Sequence, residues 1–460
     1  MNQFWQYAKH HQERSIYQFD TDRLLNNLQL WADQFPGIQP YYAVKCNNHP
    51  KLIQILYQHH FAFDCASQNE LQLVQSVGVQ IGGHQPSFRG VMTESIPAVV
   101  YANPFKFPTH LQFAEQHGVK MMTADCPEEL DKIKRYCPSA RVLLRIAVDD
   151  SHSICQFNSK FGMVPTEVNL KAFLTRAQDL QVSVVGVSFH VGSGCLSAES
   201  YLDALRKCRY VFDFAKETVG LDLNIIDLGG GFMQGEPLLS TVSHVISQQL
   251  KQLFNWTPKS HHLYVMAEPG RFMATNVFDL YVQVIGKNST LGASNERLGA
   301  SNERLGASNE RLGASNERLG ASNERLGASN ERLGASNERL GASDGRKDVC
   351  IKYYINNSVY GAFNCKIFDY AVFNYQLYHA DGSPITSTIA IPCTVFGSTC
   401  DSIDKILEHI SLPEMIVGDY MCFKNMGAYT YSASCTFNGI PLADVYQMEK
   451  SDQVKELIDS

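Results

Sequence analysis

Between Tyr41 and Phe272 the chain alternates eight short apolar runs with stretches of helical periodicity, and that alternation leaves few folds open. The runs are Tyr41–Lys45, Phe61–Ala66, Ala98–Pro104, Val119–Ala124, Arg141–Ala147, Val184–Gly192, Asn224–Gly231 and Tyr264–Phe272. Helical patterns fill most of the gaps, at Asn69–Val77, Pro127–Tyr136, Leu170–Leu180 and Ala198–Thr218. Another precedes the first strand: Thr21–Gln34, with Leu24, Leu25, Leu28, Leu30 and Trp31 on its apolar side, Asp20 or Thr21 as its cap and Pro36-Gly37 as its stop. Eight strands separated by helices predict an α/β protein built on a parallel (β/α)8 barrel. An open doubly wound sheet shares the pattern but has no reason to stop at eight.

In such a barrel the chemistry sits at the carboxyl ends of the strands. Those ends carry Lys45, Asp64-Cys65-Ala66-Ser67, Arg145, His190-Val191-Gly192-Ser193-Gly194, Asp227-Leu228-Gly229-Gly230-Gly231 and Glu268-Pro269-Gly270-Arg271. Each has a plain structural reading. Lys45 alone is a solvated edge charge, the glycine triplet a tight turn, and Arg271 and Glu268 partners in an ion pair. Together they suggest something else. Bare amides at Gly229–Gly231, with the following helix dipole, suit a phosphate, and Arg271 offers it a second contact or pairs with a carboxylate. A lysine beside a phosphate site suggests a Schiff base to a phosphorylated aldehyde cofactor, with Glu268 placed to protonate its pyridine nitrogen.

Beyond Phe272 the pattern changes. Val277–Val284 reads as a strand leaving the barrel, and Cys350–Ile355, Gly361–Phe368, Ile389–Phe396 and Ala428–Phe437 read as short strands of a mostly β second domain. The expected division is a barrel over residues 20–276 and a β domain over 277–460, which a strand within residues 1–19 joins. Residues 291–346 interrupt it: Leu291 opens seven copies of Leu-Gly-Ala-Ser-Asn-Glu-Arg, and a degraded copy follows from Leu340 to Arg346. Each unit has one large apolar residue beside a glycine, so no coiled-coil seam exists and a disordered loop between strands is expected. Ile81–Pro97 lengthens the loop feeding the third barrel strand, on the face away from the chemistry.

A net charge of -7 argues against a nucleic-acid surface, and no apolar run approaches a membrane span. Thirteen cysteines, without zinc spacing or C-x-x-C pairs, read as reduced thiols of a cytoplasmic protein with no metal centre.

Seven motifs in one order specify more than any of them alone: Tyr-Ala-Val-Lys-Cys-Asn, Phe-Asp-Cys-Ala-Ser, His-Val-Gly-Ser-Gly, Asp-Leu-Gly-Gly-Gly, Glu-Pro-Gly-Arg, Thr-Cys-Asp-Ser and Asn-Met-Gly-Ala-Tyr-Thr. In this order the chain resembles the eukaryotic ornithine decarboxylase family, pyridoxal-phosphate enzymes of the alanine-racemase-like barrel-plus-β-domain type. The resemblance implies that Lys45 holds pyridoxal 5'-phosphate, that His190 stacks on its ring and that Glu268 pairs with the ring nitrogen. It assigns Ser193, Gly230, Gly231, Arg271 and Tyr429 to the phosphate, and Asp64, Glu70 and Arg145 to the polar network around the lysine. Cys400 matches the catalytic cysteine, Asp369 and Asp401 the acids that receive the substrate's distal ammonium, and Tyr360 and Phe437 further pocket residues. It further implies a homodimer whose active sites are shared, with Cys400, Asp401 and Tyr360 from the opposite subunit and a Lys160–Asp404 ion pair across the interface.

The expected reaction is decarboxylation of L-ornithine to putrescine, the first step of polyamine biosynthesis. Two other readings stand beside it: a decarboxylase of lysine or arginine, and a non-catalytic paralogue like the antizyme inhibitors. Retention of Lys45, His190, Glu268, Arg271 and Cys400 together argues against the last, since a binding module needs none of them. Antizyme itself is a candidate partner around Lys106 to Arg135. The chain departs from the family pattern at Ser398, where proline is usual, at Asn357, and at Lys424, where an acid is common.

Overall fold

The computed structural model describes residues 3–11, 13–85, 88, 96–291 and 349–448. The repeat tract from 292 onward and most of the stretch between residues 86 and 95 lie outside them.

All eight apolar runs enter one closed parallel barrel, as Gln39–Ala43, Ala62–Cys65, Val99–Tyr101, Met121–Ala124, Arg141–Arg145, Ser183–Ser188, Ile225–Asp227 and Tyr264–Ala267. The last strand pairs back onto the first through Met266 opposite Gln39 and Ala267 opposite Pro40. Helices cover the outside, and their starts follow local chemistry. The Asp20 side chain accepts the Arg23 amide at 3.0 Å to cap Thr21–Gln34, and Ser67 accepts that of Glu70 at 3.3 Å to cap Gln68–Ser76. Inside the barrel, Tyr41, Ala62, Val100, Met121, Leu143, Ile225 and Met266 form a separate buried cluster that plugs the lower half. Each large side chain in such a plug contributes about 1.5–3 kcal/mol.

The strands are shorter than the apolar runs. The first ends at Ala43, and Val44–Cys46 is a 3-10 turn, so Lys45 sits on a turn and not on the strand as the alternation suggested.

Ile16–Phe19 does not belong to the barrel. It pairs antiparallel with Phe278–Leu291 and parallel with Asp444–Gln447. The larger sheet runs in the order Tyr375–Tyr378, Tyr420–Phe423, Phe278–Leu291, Val349–Ile355, Ala390–Phe396, Lys405–Pro413. Leu291 lies opposite Val349, so the repeat tract leaves and re-enters at the end of one antiparallel pair.

Two segments read as strands are helical turns instead. Gly361–Phe368 contains a 3-10 turn at Ala362–Asn364 and a short α-helix at Cys365–Phe368. Ala428–Phe437 holds a 3-10 turn at Tyr431–Ala433. The aromatic content that suggests a strand serves packing here, and Asn364 supplies the bends by donating its side chain to the carbonyls of Gly361 and Thr430, at 2.6 and 2.8 Å. The polar-looking amino terminus also forms a helix, Gln3–His10, which buries Phe4 and Trp5 among Tyr281, Tyr378, Tyr420 and Tyr446. Gly382, in the left-handed region, lies flat against Trp5, where a Cβ would approach the indole to 2.6 Å.

In the lengthened loop, His84–Gln85 pairs with Ile96–Pro97, and Phe88 packs edge-on against Phe61 while its amide donates to Gln39 Oε1 at 2.8 Å. These contacts lie by the amino-terminal ends of the first two barrel strands, away from the mouth.

Candidate active site

Lys45 projects from its turn onto Asp64, at the end of the second strand, and the two form a very short ion pair. Burial works against the ammonium charge, but Asp64 and then Glu268 outweigh it, so Lys45 stays protonated well above the ordinary lysine range. Across the mouth, Glu268 follows the last strand, its amide donating to Gly229 O at 2.7 Å. Its carboxyl is buried, and its proton is held far above the usual carboxylate range, by burial first and then by the charges of Asp227 and Asp64. Glu268 Oε1 has no hydrogen-bond partner among the described residues, although it is out of water. Glu268 and Arg271 are therefore not an ion pair.

Arg271 instead grips Asp369 with both terminal nitrogens, at 2.7 and 2.8 Å, and donates to Ser193 Oγ at 2.9 Å. Its guanidinium stacks over Tyr429 at 4.9 Å. The Nε of Arg271 is buried and unpartnered among the described residues, a donor left over beside Ser193.

His190 Nδ1 accepts the Gly192 amide at 3.0 Å, which leaves its proton on Nε2. Burial, then the nearby Arg145 and Lys45 cations, press it well below the ordinary histidine range, so the ring is neutral. Gly230 faces that ring directly: a Cβ there would lie 2.8 Å from His190 Nε2. Gly231 takes a φ of +101°, a conformation that side chains resist. The glycines are thus required by closeness and by backbone, and the triplet is more than a tight turn.

Arg145 ends the fifth strand beneath these groups, its guanidinium 5.0 Å from the Phe161 ring and its charge disfavoured by burial. Glu70 Oε2 accepts the Ala66 amide at 2.6 Å and so fixes the turn after the Asp64 strand.

The remaining expected residues lie apart. Tyr360 stacks on Phe437 at 4.2 Å and donates to Asp401 Oδ2, and Cys400 is exposed, its amide held by Asn438 Oδ1 at 3.0 Å. No hydrogen bond or ring contact among the described residues joins this group to Lys45, His190 or Glu268. Asp404 is 1% exposed, and both oxygens are engaged within its own chain, by the amides of Val359 and Thr399 at 2.9 Å and by Thr399 Oγ1 at 2.6 Å. It staples the loop carrying Cys400, and the single chain gives it no Lys160 partner. Lys106 differs from expectation, buried with its ammonium on Thr123 O at 2.5 Å and Glu129 Oε1 at 3.4 Å, so it is no part of a surface that a partner could touch.

The departures from the family pattern are accommodated locally. The Ser398 amide donates to Asn357 O at 3.1 Å, a bond proline could not make, and Lys424 pairs with Asp279 at 3.0 Å. Two residues at the site went unassigned in the sequence. Asp227, fully buried, accepts from Ser188 Oγ and the Gly229 amide at 2.9 Å and presses on Glu268. Cys155 points its thiol at Asp369, 3.4 Å away. Asp227 was legible as the first residue of Asp-Leu-Gly-Gly-Gly; Cys155 had no signal.

A lysine on an acid, a neutral imidazole, a buried glutamate with one free oxygen and glycines pressed against both, at the mouth of a parallel barrel flanked by a mixed sheet, define the class of barrel-type pyridoxal-phosphate enzymes. The comparisons narrow that class. Residues 21–275 match the pyridoxal binding domain of the pyridoxal-dependent decarboxylases and residues 341–427 match their C-terminal sheet domain, and the chain belongs to this family. It is 34% identical over 432 residues to ornithine decarboxylase of Mus musculus, covering 94% of this chain and 80% of that one. It is 35% identical over 414 residues to antizyme inhibitor 2 of Xenopus laevis, covering 89% and 76%. The structure of the Paramecium bursaria Chlorella virus arginine decarboxylase bound to agmatine superposes with a TM-score of 0.74 at 29% identity, covering 96% of this chain and 98% of that one. Lysine decarboxylase from Selenomonas ruminantium gives 0.72 at 26%, covering 96% and 95%. No helix among the described residues is long and apolar enough to cross a membrane, and the thirteen cysteines are free thiols.

Proposed function

We propose that the chain decarboxylates L-ornithine to putrescine and carbon dioxide, with pyridoxal phosphate held at the barrel mouth. The observation that carries the reading is Glu268, buried, with Oε1 left without a partner among the described residues and pressed to keep a proton, across the mouth from the Lys45–Asp64 pair. A pyridine nitrogen answers that free oxygen, and a phosphate answers the free Arg271 Nε beside Ser193 and the bare Gly230 and Gly231, so the residues fit the cofactor. When bound, it supplies the electron sink for the bond broken as the substrate carboxylate departs.

The protein's part is positional and electrostatic. Lys45 Nζ would hold the cofactor's aldehyde, while Asp64 and Arg145 set the charge around that nitrogen. Glu268 holds a proton at the ring nitrogen, His190 covers one face as a neutral ring, and Arg271, Ser193, Gly230, Gly231 and Tyr429 hold the phosphate. Asp369, already paired with Arg271, faces the distal ammonium as a counter-charge, and a neutral substrate end would forgo that attraction.

Cys400, Asp401, Tyr360 and Phe437 complete the site from the opposite subunit, Cys400 returning a proton to the α-carbon and Asp401 sharing the ammonium with Asp369. Support for a homodimer comes from their separation from the mouth and from the apolar side chains exposed near both groups, Phe437 and Ile403 on one side and Phe368 and Tyr370 on the other. The reading divides the chain near residues 20 and 276 and places it in the cytoplasm.

Release of carbon dioxide from ornithine, lysine and arginine, with Lys45→Ala as the blank, tests the reading. Release from ornithine that disappears in the variant is expected. Preference for another basic amino acid renames the substrate, and no release from a folded, cofactor-loaded protein overturns decarboxylation.

A further inference from the structure

The main chain under Lys45 is poorly supported by its own element. A 3-10 turn of three residues leaves most of its carbonyls without internal partners, and the barrel strand has already ended at Ala43. The partners come from a segment nearly four hundred residues away. Ser432 Oγ donates to Lys45 O at 2.8 Å, with Cys46 O at 3.3 Å, and the Tyr429 amide donates to Cys46 O at 2.8 Å. The fully buried Asn47 returns a bond from its side chain to Gly427 O at 2.8 Å, while its own carbonyl accepts from Tyr42 Oη at 2.9 Å. Each carbonyl from Lys45 to Asn47 is thereby taken.

The segment is itself fixed. Gly427 lies so close to the barrel that a Cβ would fall 1.8 Å from Ala274 O, and its amide donates to Thr275 O at 3.1 Å. Thr430 Oγ1 binds back to Met426 O at 2.6 Å, and Asn364 holds Thr430 O at 2.8 Å. Tyr429 connects two tasks: its amide holds the Lys45 turn and its ring lies under the Arg271 guanidinium.

We infer that Ser432 is a positioning residue for the cofactor lysine: its hydroxyl, carried by the sheet domain, fixes the Lys45 carbonyl and thereby the direction in which Lys45 Nζ leaves its turn. The inference rests on the reading of Lys45 as the residue that binds pyridoxal phosphate. It makes grip on the cofactor depend on the docking of the sheet domain onto the barrel.

The test compares wild-type holoenzyme with Ser432→Ala and Ser432→Thr. The readouts are the circular dichroism of the bound cofactor, the rate of its release into a carbonyl-scavenging buffer, and the melting temperature of the cofactor-free chain. One neutral hydrogen bond contributes about 1 kcal/mol, so release from Ser432→Ala is expected about fivefold faster, with a weaker cofactor dichroism. Ser432→Thr, which keeps the hydroxyl, restores both. Wild-type release and dichroism in Ser432→Ala overturn the inference, and so does a variant that only melts earlier, since that makes Ser432 a staple between domains. A wild-type cofactor signal that survives Lys45→Ala overturns the reading of Lys45 itself, which separates the two failures.

Discussion

Asp369 meets the guanidinium of Arg271 end-on, its Oδ1 2.7 Å from Nη2 and its Oδ2 2.8 Å from Nη1. The family resemblance puts these residues at opposite ends of the bound molecules, one at the phosphate and one at the substrate ammonium. A single bidentate contact connects both ends, with Nε left for the phosphate.

Asp369 therefore differs from Asp401 in what its loss does. Asp369→Asn is expected to speed cofactor release about tenfold and to lower kcat/KM about a hundredfold, because Arg271 loses its anchor as the substrate loses a counter-charge. Asp401→Asn is expected to raise KM and leave cofactor release unchanged. Release rates and initial-rate kinetics on the two variants check this.

For Glu268 the expected signature is in kcat. Glu268→Gln keeps shape and burial but cannot hold the ring nitrogen's positive charge, and kcat should fall about 10²–10³-fold with little change in KM. The absorbance of the bound cofactor should change as well. Equal kcat in wild type and variant would remove Glu268 from the mechanism.

A shared site gives a complementation test. Lys45→Ala and Cys400→Ala homodimers each lack one half of every site, but a mixed dimer holds one site with both halves intact. Statistical mixing should restore about a quarter of wild-type activity. Restoration absent after verified exchange of subunits places Cys400 in the same subunit as Lys45.

The pH dependence of stability has a named contributor in His49. Its ring sits between Phe19, Phe278 and Tyr431, at 6.0, 6.0 and 5.6 Å, and burial pushes it down to about 4. Between about 4 and 6.5 the unfolded chain takes up this proton and the folded chain does not, so stability falls as pH falls through that window, with a ceiling of about 3 kcal/mol. His49→Phe should flatten the slope there, as measured by urea unfolding at pH 7 and pH 4.5. An unchanged slope would assign the acid sensitivity to other groups.

The barrel was legible because its signal is repeated: eight short apolar runs, with helical patterns between them and a capping residue such as Asp20 before the Thr21–Gln34 helix, agree with one another. The position of the mouth was legible, since Lys45, Glu268 and Arg271 follow closely on barrel strands. What a single residue pairs with was not. Arg271 chooses Asp369 over Glu268 because a turn at residues 362–368 brings the acid in, and that turn comes from Asn364 where aromatic content suggested a strand. The amino-terminal helix was missed because polar residues surround Phe4 and Trp5, whose burial depends on four tyrosines distant in sequence.

Ile16–Phe19 lies in one sheet between Phe278–Leu291 and Asp444–Gln447. During synthesis Ile16–Phe19 therefore precedes both neighbours by a long way, the strand that begins at Phe278 and the strand that begins at Asp444. The barrel can close in that interval, but the sheet cannot, and contacts of such long sequence separation form slowly. Ile16–Phe19 is then an open strand edge until Asp444–Gln447 has been made, and the site, which draws Tyr429 and Asp369 from the sheet domain, is assembled only after the barrel.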